Sequence, residues 1–199
     1  PFCLLGMRKE KTNRSAKFIV VFIAAIMIFS VFGVIFFGFK QPGDTIKYND
    51  KLFTRKDTKW STPINKKEAL FDYFPTEVEE INISGDIASR LSNKVEIDAT
   101  YDYNGTFAKS IALSLYDLNQ MLNFHFDIYL RAGFTTNTSY KVPVITCKNA
   151  TSFIPVIYFK ESNNTQIYKE DDCIIAEAKS GQDFIRIKDR LLYYLFGII

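Results

Sequence analysis

The sequence predicts an α/β fold bordering on α+β: an apolar N-terminal helix, a small β-meander, then a β-α-β unit followed by two strands and a last helix. Three observations predict it. Residues 18–39 carry no charge. Residues 45–74 hold short runs of alternating, aromatic and β-branched residues, broken at turn-forming pairs. From residue 95 onward, strand-like alternation gives way to helical spacing and then returns. A chain that is 47% apolar and 24% charged is globular in composition, with enough apolar surface to bury a core.

The apolar run comes first. Lys17 and Lys40 bracket FIVVFIAAIMIFSVFGVIFFGF. As a helix rising about 1.5 Å per residue it covers about 33 Å, the thickness of a bilayer's hydrocarbon core. The run exceeds the apolar stretch of a secretory signal, and no small-x-small cleavage site follows it. Arg8, Lys9, Lys11, Arg14 and Lys17 stand before it against the single Glu10, so the positive-inside rule puts the N-terminus in the cytoplasm. The expected organisation is a cytoplasmic basic tail over 1–17, a transmembrane helix over 18–39, a juxtamembrane meander with short helices over 40–94, and the main domain over 95–199. Met7 reads as the natural start, with residues 1–6 coming from upstream.

QPGD at 41–44 is a turn-rich exit from the helix. TIKYN, KLFTRKDTKWSTPI and EALFDYF are the extended segments of the meander, with turns at Asn49-Asp50 and Asn65-Lys66. PTEVEEI reads as a short helix with Pro75 in its first turn and Glu77, Glu79 and Glu80 serving its dipole. DIASRLSN reads as another. Residues 95–103 alternate as a strand, Asn104-Gly105 turns, and Thr106 is the expected N-cap of a helix reaching about Asn123. Ile111, Leu115, Leu118 and Leu122 give that helix one apolar face. Residues 124–134 read as the second strand, which makes the pair parallel neighbours joined by a right-handed crossover. Pro155 introduces VIYFK, Asn163-Asn164 signals a hairpin, and TQIYKEDDCIIAEA returns. A helix over about 183–196 follows, its apolar face made by Phe184, Ile187, Leu191, Leu192 and Leu195, with Arg186, Lys188, Asp189 and Arg190 mostly elsewhere.

Two marks agree with an extracytoplasmic domain. Asn82, Asn104, Asn137, Asn149 and Asn163 each open an Asn-x-Ser/Thr sequon, the pattern of a glycosylated surface. Cys147 and Cys173 form a pair that an oxidising compartment would close. Closing that loop of about 26 residues is expected to stabilise the fold by roughly 3–4 kcal/mol. Their spacing is not the Cys-x-x-Cys of a reactive pair.

The order of elements over 95–199 resembles the thioredoxin-like fold. In that family a proline before the third core strand is usually cis and faces the active site, and Pro155 in FIPVIYF stands at the matching place. The family's redox chemistry needs Cys-x-x-Cys between the first core strand and first helix. Here that position reads Tyr103-Asn104-Gly105-Thr106-Phe107, without a cysteine. The resemblance therefore implies the fold used as a scaffold. The layout of basic tail, one anchor, and an outer domain with two cysteines also resembles membrane proteins of small-genome archaea.

Other chemistry is thinly represented. The net charge of +3 is too small to argue for nucleic acid, and one histidine excludes a histidine-rich metal centre. P-loop, Gly-x-Gly-x-x-Gly and Gly-x-Ser-x-Gly patterns are missing. His125 sits in an expected strand with no ligand context. Glu170-Asp171-Asp172 offers hard oxygen ligands of the kind calcium takes, without a calcium-loop spacing, and reads better as a solvated turn. The expectation is a non-catalytic, membrane-anchored binding or scaffold domain of the cell envelope, with no cofactor, no metal and no nucleic acid. Its partner would be an envelope protein or a second copy of the chain. The alternatives are a thiol–disulfide oxidoreductase using Cys147 and Cys173, and an accessory subunit of a membrane complex.

Overall fold

A computed structural model describes residues 14–37, 44–84 and 86–199. The chain divides into two compact units between Gly43 and Asp44. The first unit holds α1 (Arg14–Phe37). Among the described residues, no helix is long and apolar enough to cross a membrane. The part of α1 with described side chains, residues 17–30, covers about 20 Å, against a hydrocarbon core of about 30 Å. The expected span ends at residues 38 and 39, outside the described residues, as does the basic tail up to residue 13. The single-pass reading is corrected accordingly, together with the orientation and cell-membrane localisation drawn from it.

The second unit opens with the meander: β1 (Thr45–Tyr48), β2 (Lys51–Lys56), β3 (Lys59–Ile64) and β4 (Lys67–Phe71), antiparallel in that order. Asn49, Asp57, Asn65 and Lys66 take positive φ at its turns. Asn and Asp tolerate that region better than most side chains. The long segment KLFTRKDTKWSTPI is thus two strands folded at Asp57-Thr58.

Pro75–Glu77 makes one 3-10 turn, where PTEVEEI reads as a helix. There follow β5 (Asn82–Ile83), α2 (Ile87–Leu91), β6 (Glu96–Tyr101), α3 (Ala108–Phe126) and β7 (Tyr129–Phe134). α3 runs past the expected end and takes in 124–126. Phe-His-Phe looks alternating, but Phe126 follows Leu122 by four and extends the same apolar face. Asp127, at φ 56°, ends the helix. A 3-10 turn at Cys147–Asn149, β8 (Val156–Glu161), β9 (Gln166–Glu170), β10 (Cys173–Ala178) and α4 (Gly181–Leu195) complete the unit.

The large sheet has the order β5-β9-β10-β8-β6-β7. β6 is parallel to β7 and β8, β8 is parallel to β10, and only β9 against β10 is antiparallel. The fold class is therefore mixed α/β. The thioredoxin-like order is not confirmed. Asn163-Asn164 does not turn between neighbours, because β10 lies between β8 and β9. The expected single return strand breaks at Asp171, φ 50°, and its second half enters the sheet parallel to β8. The peptide bonds among the described residues are trans, that before Pro155 included, so the expected cis-proline is also corrected.

Alternation along the strands divides the sheet. Ile97, Ala99, Ile157, Phe159, Ile174 and Ala176 face α3 and α4 in the main core. Val156, Cys173 and Ile175 face the other way, under Ile145 and the 3-10 turn. The meander lays Phe53, Trp60 and Phe71 on the far side of the helices, where Phe71 stacks on Tyr193 of α4 at 4.1 Å. The result is three layers: small sheet, helices, large sheet. The apolar end after α4 docks on its own domain. Gly197 takes φ 65°, Ile198 is buried, and its carbonyl accepts from Asn49 Nδ2 at 2.9 Å.

Candidate functional site

The chain leaves β6 toward β7 on one side and has β8 on the other. Crevices at such reversals, outside the carboxyl ends of the strands, are where open α/β sheets bind ligands. One of about 230 Å³ lies here, lined by Asp102, Gly105, Tyr158, Lys160 and Glu161. Phe107, the residue before α3, caps nothing with its side chain. Glu161 of β8 does this instead, its Oε1 accepting from Phe107 N at 2.7 Å. A carboxylate suits the positive end of a helix. Gly105 leaves room for it, since a Cβ there would lie 2.5 Å from Glu161 Oε1. Asp102 Oδ1 accepts from Asn104 N at 2.9 Å. Burial, with the Asp102 charge second, pushes the Tyr158 hydroxyl up from its ordinary pKa.

Cys147 and Cys173 are joined in a disulfide. Cys173 opens β10 opposite Val156, the first residue of β8. The disulfide is thus at the opposite end of the sheet from the crevice. Cys173 is buried and Cys147 half-buried. Beside it Arg90 of α2 is buried, and its guanidinium donates to the carbonyls of Thr151, Ser152 and Asp172. Arginine and disulfide join the same two stretches of chain.

A third cluster of charges lies between the meander and the helices. Lys188 of α4 is 1% exposed. Its Nζ donates to Asp72 Oδ2 at 2.5 Å and lies 2.8 Å from Asp189 Oδ1 and 3.7 Å from Asp117 Oδ2. Lys59 closes the set, 3.0 Å from Asp117 and 3.5 Å from Asp72. Asp189 is fully buried, and its Oδ2 accepts from the backbone N of Asp72 and of Tyr73, both at 2.8 Å. Burial raises Asp189 to about 6 against the pull of Lys188. Burial would lower Lys188, but Asp189 and Asp72 outweigh it and hold the amine above its ordinary value. This cluster clamps the small sheet to α3 and α4.

The sequence-predicted residues fall outside these clusters, except the cysteines and Asn104, which borders the crevice. All five sequon asparagines, Asn82, Asn104, Asn137, Asn149 and Asn163, are exposed, and Asn149 Oδ1 accepts from Thr146 N at 2.8 Å. The glycoprotein reading, drawn from the number of sequons, finds no support in the structure and is withdrawn along with the anchor. His125 is in the last turn of α3, not in a strand. Its ring lies against Phe196, and burial lowers its pKa. Among the described residues no group of acidic, histidine or cysteine side chains could hold a metal ion. Glu161, Arg90 and the Lys188–Asp189 pair are the residues that sequence reasoning missed. Lys188 had a signal: it stands four from both Phe184 and Leu192, inside the apolar stripe of α4 and not beside it.

Compared with known proteins, the chain matches no family model, no curated protein and no solved structure. The resemblances to a thioredoxin-like domain and to archaeal membrane proteins are set aside on that finding.

Proposed function

We propose that the chain is a non-catalytic binding or scaffold domain acting on a protein partner. The observation that carries this reading is Glu161 on the N-terminus of α3. A helix N-terminus lowers the pKa of a thiol and stabilises an anionic nucleophile. Here that field is spent on a structural carboxylate, which ties β8 to α3 beneath the crevice. The thiol–disulfide alternative loses support from the same geometry. The Cys147–Cys173 pair is at the other end of the sheet, with Cys173 buried, and Arg90 binds the surrounding backbone. Insulin reduction by the full chain tests the reading. No turnover is expected above that of a Cys147→Ser, Cys173→Ser variant. Cysteine-dependent turnover would reject a non-catalytic role.

A further inference from the structure

We infer that the outer edge of β7, with the groove between it and α3, binds an extended peptide segment of a partner protein by strand addition. The inference rests on the binding-domain reading and names its surface. β7 is the last strand of the large sheet. In a parallel ladder, alternate residues turn their N–H and C=O to one neighbour. Tyr129 N donates to Val95 O and Thr135 N to Tyr101 O, so the odd-numbered residues bond toward β6. Leu130, Ala132 and Phe134 consequently face outward.

The edge is already used in part. Phe134 N donates to Pro143 O at 3.0 Å, and Ile145 N donates to Phe134 O at 2.9 Å. This short stretch of the chain pairs in parallel with the edge through Phe134 and Val144. The edge thus accepts an extended segment, and its own loop fills only the last outward position. At the other end Leu130 N donates to Asn119 Oδ1 of α3, a longer contact at 3.3 Å. Between them, Ala132 is exposed, and no described residue takes its N–H or C=O. An unpaired edge of this kind is a template for another strand.

The neighbouring groove supplies the side-chain contact. It measures about 290 Å³, with Ala112, Leu115, Tyr116 and Asn119 on the helix side and Leu130 and Ala132 on the strand side. A strand added along Ala132 would project alternate side chains into it, which is how strand-addition sites combine backbone affinity with side-chain selectivity. The lining is uncharged, so the fitting segment carries a Val, Ile or Leu at the position that points inward.

The test uses the full chain and the peptide fluorescein-Gly-Gly-Thr-Val-Ile-Val-Thr-amide, labelled at its N-terminus, followed by fluorescence anisotropy. Binding is expected, with methylation of the amides that face β7 weakening it at least about tenfold and methylation of the alternate amides leaving it unchanged. Ala132→Pro removes the outward N–H and is expected to weaken binding to the same degree at unchanged melting temperature. Asn119→Ala frees the Leu130 N–H and is expected to keep or tighten it. Absence of binding, or equal effects of methylation at every amide, would overturn the inference. So would self-association of the chain that the peptide does not compete with. If the proline variant fails to fold, the methylated peptides still decide. Failure of the peptide without insulin reduction leaves the binding-domain reading standing, whereas insulin reduction removes that reading whatever the peptide does.

Discussion

Asp189 stands where a fully buried carboxylate meets a lysine and two backbone amides, and the balance makes it sensitive to pH. Its folded-state pKa, raised to about 6 by burial, lies above the ordinary aspartate value. The folded state therefore keeps a proton that the unfolded state releases between about pH 4 and 6, so this group's contribution to stability falls as pH rises through that window and is flat above it. The charges acting on it are Lys188, which lowers it, and Asp72, which raises it. Asp72 runs the other way: burial raises it, but Lys188 and Lys59 outweigh burial and hold it below its ordinary value, so its contribution is lost as pH falls. Asp189→Asn isolates the first effect. In chemical denaturation from pH 4 to 8, the stability difference between wild type and variant should change by up to about 3 kcal/mol across the window and then stop. A difference independent of pH would show that Asp189 stays ionised. At the other end of the molecule, Gly105→Ala should push Glu161 off the Phe107 amide and destabilise by about 1 kcal/mol. Glu161→Gln in the Gly105→Ala background should then add little, by the same measurement.

The elements show what a sequence reveals and where it stops. The meander was legible in part: the turns on Asn49 and Asn65, residues that accept positive φ, could be read, but the turn at Asp57 was not, and one expected extended segment is two strands. The core of α3 was legible from its apolar spacing. The partnering of β9 and β10 was not. A hairpin signal such as Asn163-Asn164 describes a local bend, and whether the next strand lies beside the previous one depends on contacts far away in the chain. Arg90 was hidden for the same reason, since its carbonyl partners lie 61 to 82 positions on. Arg90 and the Cys147–Cys173 disulfide both join the stretch 147–152 to 172–173, which predicts coupling between them. Removing both cysteines to serine should cost roughly 3–4 kcal/mol. Arg90→Ala should cost about 1–3 kcal/mol by removing a buried guanidinium and its bonds to three carbonyls. Removing all three should cost more than the sum, because each alone still holds the two stretches in register. An additive triple variant in urea denaturation would show that the two fastenings act independently.

For the second unit as a whole, the three layers meet in α4, which gives Phe184 and Ile187 to the core and Tyr193 to the meander. The segment after it finishes the packing. Deleting Gly197 to Ile199 removes a buried isoleucine and the Asn49 hydrogen bond, and should lower unfolding stability by about 2–4 kcal/mol in the same denaturation assay. Unchanged stability would return this apolar end to the role of a docking segment for another chain. The Asp189 contacts with Asp72 and Tyr73 close over sequence separations of 117 and 116. During synthesis, the meander emerges long before the helix that covers it. In that interval Phe53 and Phe71 lack Tyr193 and are left with each other and Phe74, and β1 and β4 are open at both margins of a four-stranded sheet. The order of the chain thus makes the newborn meander a client for whatever shields apolar strands in the cell. A ribosome stalled before α4 should display a sticky, protease-sensitive hairpin pair rather than a folded subdomain.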